Sequence, residues 1–373
     1  MMKNLLKYLA LILMFAVGGA LGGVVMLSLF LNGDFGSENL ILLTVGIAVA
    51  FYLCVILHEA GHLIFGLIGG YRFSSFRIGS IMLVRQNGKL CLRLLKLVGT
   101  GGQCLMIPPE SRMSAASCVL YNLGGVIINT VCAVIFGILY LFLPYTAVVT
   151  QILLMAAVFS LIFALLNGIP LNMGMPNDGL NTLYILKNPD AMQAMNYQLL
   201  IASANAEGIR LSDMPDLWFS IDSDSDLTDP LCGAISVFAC NRLLDKRRIH
   251  EAREAITSLL NSDVKLAELH KCLLASDLIF CILTEDGNMA RIANWYTDAQ
   301  KKFMKAMKTN PSVIRTEYAI ALIRDKDENI AENIRQKFEK VAKTYPYQQE
   351  IDSERELIEL ALERYNFEKQ RER

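Results

Sequence analysis

Residues 40–70 read LILLTVGIAVAFYLCVILHEAGHLIFGLIGG, an apolar stretch interrupted only by His58, Glu59 and His62 near its end. A run of this length without other charge predicts a membrane-spanning helix, because about 20 apolar residues cross the hydrocarbon core. On a helix, positions i and i+4 share one face, so the imidazoles of His58 and His62 both reach a single metal ion. Glu59, between them, is placed to take a proton from a water activated at that metal and to pass it on. A carboxylate and two imidazoles inside hydrocarbon cost several kcal/mol unless something satisfies them. A zinc ion does so. The plainer alternative is a polar cluster that hydrogen-bonds to neighbouring helices.

Outward from this stretch the composition agrees with a membrane protein. Of 373 residues, 53% are hydrophobic and 19% charged, with a mean hydropathy of +0.38. That is more apolar than a soluble globular chain. The formal net charge of -1 excludes the basic excess of a nucleic-acid binder. Nine cysteines occur without a C-x-x-C pair, so they read as small buried hydrophobes rather than a disulfide framework.

Long apolar runs lie at 5–31, 40–70, 113–143 and 147–167, which predicts four transmembrane helices. The stretch from Tyr8 to Leu31 is longer than a signal-peptide core, so the first run is expected to be retained. The loop 71–112 carries Arg72, Arg77, Arg85, Lys89, Arg93, Lys96 and Arg112 against Glu110 alone, whereas 32–39 holds only Asp34 and Glu38. The positive-inside bias then places the N-terminus, this loop and everything after the fourth span in the cytoplasm.

Catalytic zinc sites use three protein ligands and leave a fourth position open. Between Leu40 and Asn177 the acidic residues are Glu59 and Glu110, and the next is Asp178. Glu110 reads as a first-turn residue of the third span. Asp178 follows a Gly- and Pro-broken stretch after the fourth span, where irregular backbone lines a cavity or is covered by protein. It is the expected third ligand, with a helix N-cap as its structural alternative. His58 lies roughly 27 Å along the helix from Leu40, at the same cytoplasmic depth expected of Asp178. Cys54, one turn before His58, is a lesser candidate donor.

Asn87-Gly88 between apolar-rich stretches predicts a small β-hairpin at the membrane surface. After Asp178 a helical stretch runs to about Glu207, followed by an acidic, Ser-rich linker at 220–229. From 230 onward the pattern is an α-helical array. Gly287, Ala299, Phe303 and Pro311, then Phe338 and Pro346, echo tetratricopeptide-repeat spacing. His250 and His270 read as surface or packing residues. The expected organisation is a first span and external loop (1–39), a membrane core (40–186), a helix and acidic linker (187–229) and a cytoplasmic helical array (230–373).

The membrane core resembles the site-2 protease family of intramembrane metalloproteases. The resemblance rests on His58-Glu59-Ala60-Gly61-His62, on Asn167-x-x-Pro170 followed by Asp178-Gly179, and on Gly125-x-x-x-Asn129 between them, across roughly 40–186. It implies zinc held by His58, His62 and Asp178, with Glu59 as acid/base. It also implies an assisting role near the active site for Asn129, whose alternative is a hydrogen bond to a neighbouring helix. The chain departs from the family in having Gly124-Gly125 where Gly-Pro is common, and in a longer Asn167-to-Asp178 spacing. The implied activity is a zinc-dependent endopeptidase acting on membrane-spanning substrates or signal-peptide remnants in a cell membrane. The implied partners are that substrate, the bilayer and a protein bound by the C-terminal array. A catalytically silent scaffold with a helical protein-binding domain is the rival reading. A metal transporter is disfavoured, because acids and histidines do not line a path through several spans.

Overall fold

A computed structural model of the chain describes residues 37–86, 88–95, 101–109, 114–144, 148–172, 175–220, 229–285 and 289–371, together with Gly19 and Gly23. The expected first span at 5–31, apart from those two glycines, and most of the acidic linker lie outside these. So do Asn87, Glu110 and Gly287. The fold is mostly helical and divides into two units.

The first unit holds three long helices: α1 (Ser37–Ile68), α2 (Ala115–Phe142) and α3 (Val148–Gly168). All three are long and apolar enough to cross a membrane. Even the shortest, 21 residues, extends ~31 Å. Their outward faces are apolar too, with Val45, Val49, Tyr52, Val134, Ile138 and Leu141 exposed. A helix apolar all round belongs in a protein core or a bilayer, and these exposed faces favour membrane association. Where α1 crosses α2, Gly61 and Gly124 bring the two backbones together. A Cβ on either would collide with the other's carbonyl. Leu43 of α1 packs with Met155 and Val158 of α3. Cys54 lies against α3, with its Sγ 3.3 Å from Ser160 Oγ.

The second unit opens with an antiparallel sheet of β1 (Arg72–Ile78), β2 (Ile81–Gln86), β3 (Lys89–Leu94) and β4 (Gly102–Ile107), in the order β3-β2-β1-β4. The strand β4 is divided between the units after Cys104. Gln86 pairs with Lys89, so the expected hairpin turns between these two residues, with Gly88 at φ +74°. The sheet is larger than the expected hairpin because a second two-residue turn, Gly79-Ser80, pairs Ile78 with Ile81. Gly79 there sits at φ +58°. Met82 and Val84 on one face pack with Ala206, Tyr345 and Tyr347.

The helices that follow are α4 (Asp178–Lys187), which begins in the first unit, and α5 (Pro189–Ala206). The single helical stretch expected to reach Glu207 is broken because Asn188 caps α5 and Pro189 opens it. Next come α6 (Pro230–Asp245), α7 (Ile249–Asn261), α8 (Glu268–Glu285), α9 (Met289–Ala293), α10 (Asp298–Ala306) and α11 (Pro311–Ala319). The array ends with α12 (Glu328–Ala342) and α13 (Gln348–Arg371). Of the positions that suggested a repeat, Pro311 opens α11 and Phe338 is fully buried, while Ala299 is exposed.

Deep in this array Arg315 is buried between Asp277 at 2.5 Å and Glu354 at 2.8 Å, with its guanidinium 4.2 Å from the Phe280 ring centroid. Two carboxylates share one guanidinium, and Glu350 lies one turn away on α13, bonded to Tyr345. Burial raises the Glu354 carboxyl to about 7 against the pull of Arg315, and Asp277 and Glu350 add to the rise. The folded array therefore takes up a proton that the unfolded chain, with an ordinary value of 4.5, does not hold across this window. Stability from this group is greatest below about pH 4.5 and falls as pH rises towards 7. Amide protection in α8, α11 and α13 of the full chain, corrected for the intrinsic base catalysis of exchange, should fall from mildly acidic to mildly alkaline pH, and Glu354→Gln should flatten that dependence. An unchanged slope in the variant would exclude Glu354 as the source.

Candidate metal centre

The late turns of α1 carry His58, Glu59 and His62, all buried. The start of α4 brings Asp178 to them. Asp178 Oδ2 lies 3.2 Å from His58 Nε2 and 3.4 Å from His62 Nε2, and the two Nε2 atoms are 3.2 Å apart. Bonds of about 2.0–2.1 Å in a tetrahedral metal site put ligand atoms roughly 3.3–3.4 Å from one another. The three atoms therefore stand at the corners of such a site. Among the described residues this is the one group of three or more His, Cys, Asp or Glu side chains that can hold a metal ion.

The hydrogen bonds around the imidazoles support the same reading. His62 Nδ1 lies 2.8 Å from the Tyr121 carbonyl, which only accepts, so Nδ1 carries the proton and the Nε2 lone pair faces inward. Asp178 Oδ2 is buried with no hydrogen-bond partner. Two inward lone pairs beside an unsatisfied carboxylate oxygen are mutually repulsive without a cation, and a bound metal ion satisfies all three.

Asn129 is fully buried on α2, with its Nδ2 3.2 Å from His58 Nδ1 and its Oδ1 without a partner. Amide orientation follows from the hydrogen-bond network. Turned over, the amide oxygen accepts a hydrogen bond from His58 Nδ1–H, which satisfies that orphaned oxygen and leaves Nε2 free for a metal. Asn129 thus contacts His58 at Nδ1. Gly125, one turn earlier, makes room for that ligand, since a Cβ there would lie 2.5 Å from the His58 ring. Glu59 is overlain by Gly102 at the start of β4, where a Cβ would come within 2.6 Å of its carboxylate.

Asn177 is a site residue that the sequence reading did not single out. Its Nδ2 donates to Leu166 and Ile169 carbonyls at 2.6 Å each, and its Oδ1 accepts from the Leu171 and Leu180 amides at 3.1 and 3.0 Å. It ties the end of α3 to the start of α4 with every donor and acceptor used. It also caps α4, so the N-cap alternative for Asp178 does not apply and that carboxylate is left for the histidines. Gly179 lets the start of α4 press onto the Gly168 carbonyl. An Asn followed by Asp-Gly after a broken helix end was the available signal. The Asn167 amide bonds back to Phe163 within its own helix at 3.0 Å and does not join the site. Cys54 is not among the converging groups, and His250 pairs at the surface with Glu254 and Glu285.

Replacing Asp178 or His62 by Ala should abolish stoichiometric metal in the purified protein, as measured by elemental analysis. Asn177→Ala and Gly125→Ala leave the ligands intact but remove their support. Each should weaken metal affinity by about 10–100-fold, the usual effect of losing the groups that orient ligands. Wild-type affinity in both variants would separate these residues from the metal centre.

Comparison of the chain with protein-family models, with curated proteins and with solved structures finds no match.

Proposed function

We propose that this chain is a zinc-dependent intramembrane endopeptidase of the site-2 protease type. The observation that carries the reading is the convergence of His58, His62 and Asp178 at tetrahedral spacing, with Glu59 beside them, in a bundle of membrane-length helices. Two imidazoles and a carboxylate are a ligand set that suits zinc, and such sites keep one position open for reaction.

Zinc held there supplies a Lewis acid that activates water and polarises a carbonyl. The remaining chemistry belongs to the chain. Glu59, next to His58 on α1, accepts a proton from the attacking water and delivers it to the departing amine. Tyr121, through its carbonyl, and Asn129, through its amide, keep both imidazoles presenting Nε2. Gly102 closes over Glu59 and limits water around it. The scissile bond must be extended to reach this group, so a helical substrate unwinds locally. That requirement favours single-span proteins or signal-peptide remnants, which unwind at low cost.

In this reading the run at 5–31 supplies a fourth span. The charge bias puts the N-terminus, the sheet and the helical array on the cytoplasmic side. The array, with its echo of tetratricopeptide spacing, then serves to bind a protein partner.

The test uses full-length protein in lipid nanodiscs with a panel of single-span peptide probes. Wild type should cleave at least one probe and lose that activity to a zinc chelator. Glu59→Gln should retain stoichiometric zinc and fall by at least about 10²–10⁴-fold in rate, the usual contribution of a positioned acid/base. Zinc-loaded wild type that cleaves no probe, or a Gln variant as fast as wild type, would overturn the proposal.

A further inference from the structure

Tyr121 on α2 touches the candidate site at two places through different atoms. Its main-chain carbonyl accepts from His62 Nδ1 at 2.8 Å. Its hydroxyl donates to the Cys104 carbonyl of β4 at 2.7 Å. The ring between them stacks on Tyr71, with centroids 5.0 Å apart and planes at 20°, and meets the His62 imidazole edge-on at 5.8 Å. Tyr121 and Tyr71 are both buried. All of these residues, with Glu59 and Gly102, lie in the first unit.

The bond to Cys104 bears on Glu59. The strand β4 ends the order β3-β2-β1-β4, so one of its edges has no strand beside it among the described residues. At Cys104 a side chain from α2 bonds its backbone instead. Gly102 stands two residues earlier, about 7 Å along the strand. Its backbone lies directly on Glu59, since a Cβ there would come 2.6 Å from both Cγ and Oε1 of that side chain. A glutamate turns about several side-chain bonds, so one rotamer is selected only by neighbours in contact. Gly102 is such a neighbour, and the tie at Cys104 sets its place. A buried carbonyl that loses its donor carries a desolvation cost, which favours movement of its strand towards another partner.

We propose, building on the reading of Glu59 as acid/base, that the Tyr121 hydroxyl is a positioning group. By tying β4 at Cys104 it holds Gly102 against Glu59 and fixes where that carboxylate stands beside the metal centre. The same residue serves His62 through its main chain and Glu59 through its side chain. Removing the phenolic oxygen therefore separates the two roles. Tyr121→Phe keeps the ring on Tyr71 and the carbonyl on His62, and releases Cys104.

The experiment compares three full-length chains in nanodiscs: wild type, Tyr121→Phe, and a chain with p-aminophenylalanine at position 121, whose N–H replaces the O–H donor. Tyr121→Phe should bind zinc at the wild-type stoichiometry. Its amide exchange across 102–107 should accelerate by about tenfold, as expected for a buried carbonyl deprived of its donor. With a single-span peptide that wild type cleaves, kcat should fall by about 10²-fold at nearly constant KM, the scale of a reacting group displaced by about 1 Å. The aminophenylalanine chain should recover both protection and kcat. Wild-type kcat in Tyr121→Phe, loss of its zinc, or unaltered exchange across 102–107 would each overturn the proposal. So would an aminophenylalanine chain no better than the Phe variant. A wild type that cleaves no peptide, with exchange still accelerated in Tyr121→Phe, would instead refute the peptidase reading and the acid/base role with it, and confirm the tie at Cys104.

Discussion

An ionisable cluster buried among apolar helices must be satisfied from within, and the first unit is organised around that requirement. His58, His62 and Asp178 converge on one point, where a shared cation would satisfy the inward lone pairs and the unpartnered carboxylate oxygen. In water the same groups would be hydrated at little cost. In a low-dielectric bundle their spacing is one that could hold a metal ion.

Holding three ligands at that spacing requires close backbone approach, and small residues provide it. Gly61 and Gly124 set how near α1 comes to α2, and Gly125 leaves space for the His58 ring. Asn177 then locks the start of α4 onto the end of α3, which orients Asp178. None of these residues donates to a metal. They decide whether the donors meet, as groups around a metal site generally do.

The second unit meets a different constraint. Its helical array buries Arg315 with more carboxylates than one guanidinium neutralises, which couples stability to pH near neutrality. Its sheet packs one face on Tyr345 and Tyr347 and leaves the other apolar and bare.

Much was legible from local pattern alone. Unbroken apolar runs marked α1, α2 and α3, because membrane length is a property of consecutive residues. The i, i+4 histidines marked a shared helix face, and Asn87-Gly88 marked a hairpin turn. Scarcity of acids singled out Asp178 as the third donor. The sequence did not display the full sheet, whose extra pairing depends on a second short turn, or the break at Asn188-Pro189 within an otherwise helical pattern. Nor did it display the role of Asn177, whose four bonds reach backbone groups between three and eleven positions away. The amino-acid order thus determined which groups are available to bind metal and which stretches are helical, since both follow from residue type and period. The tertiary structure decided that the donors meet at metal-site spacing, because that distance depends on helix crossings and backbone contacts between residues far apart in the chain.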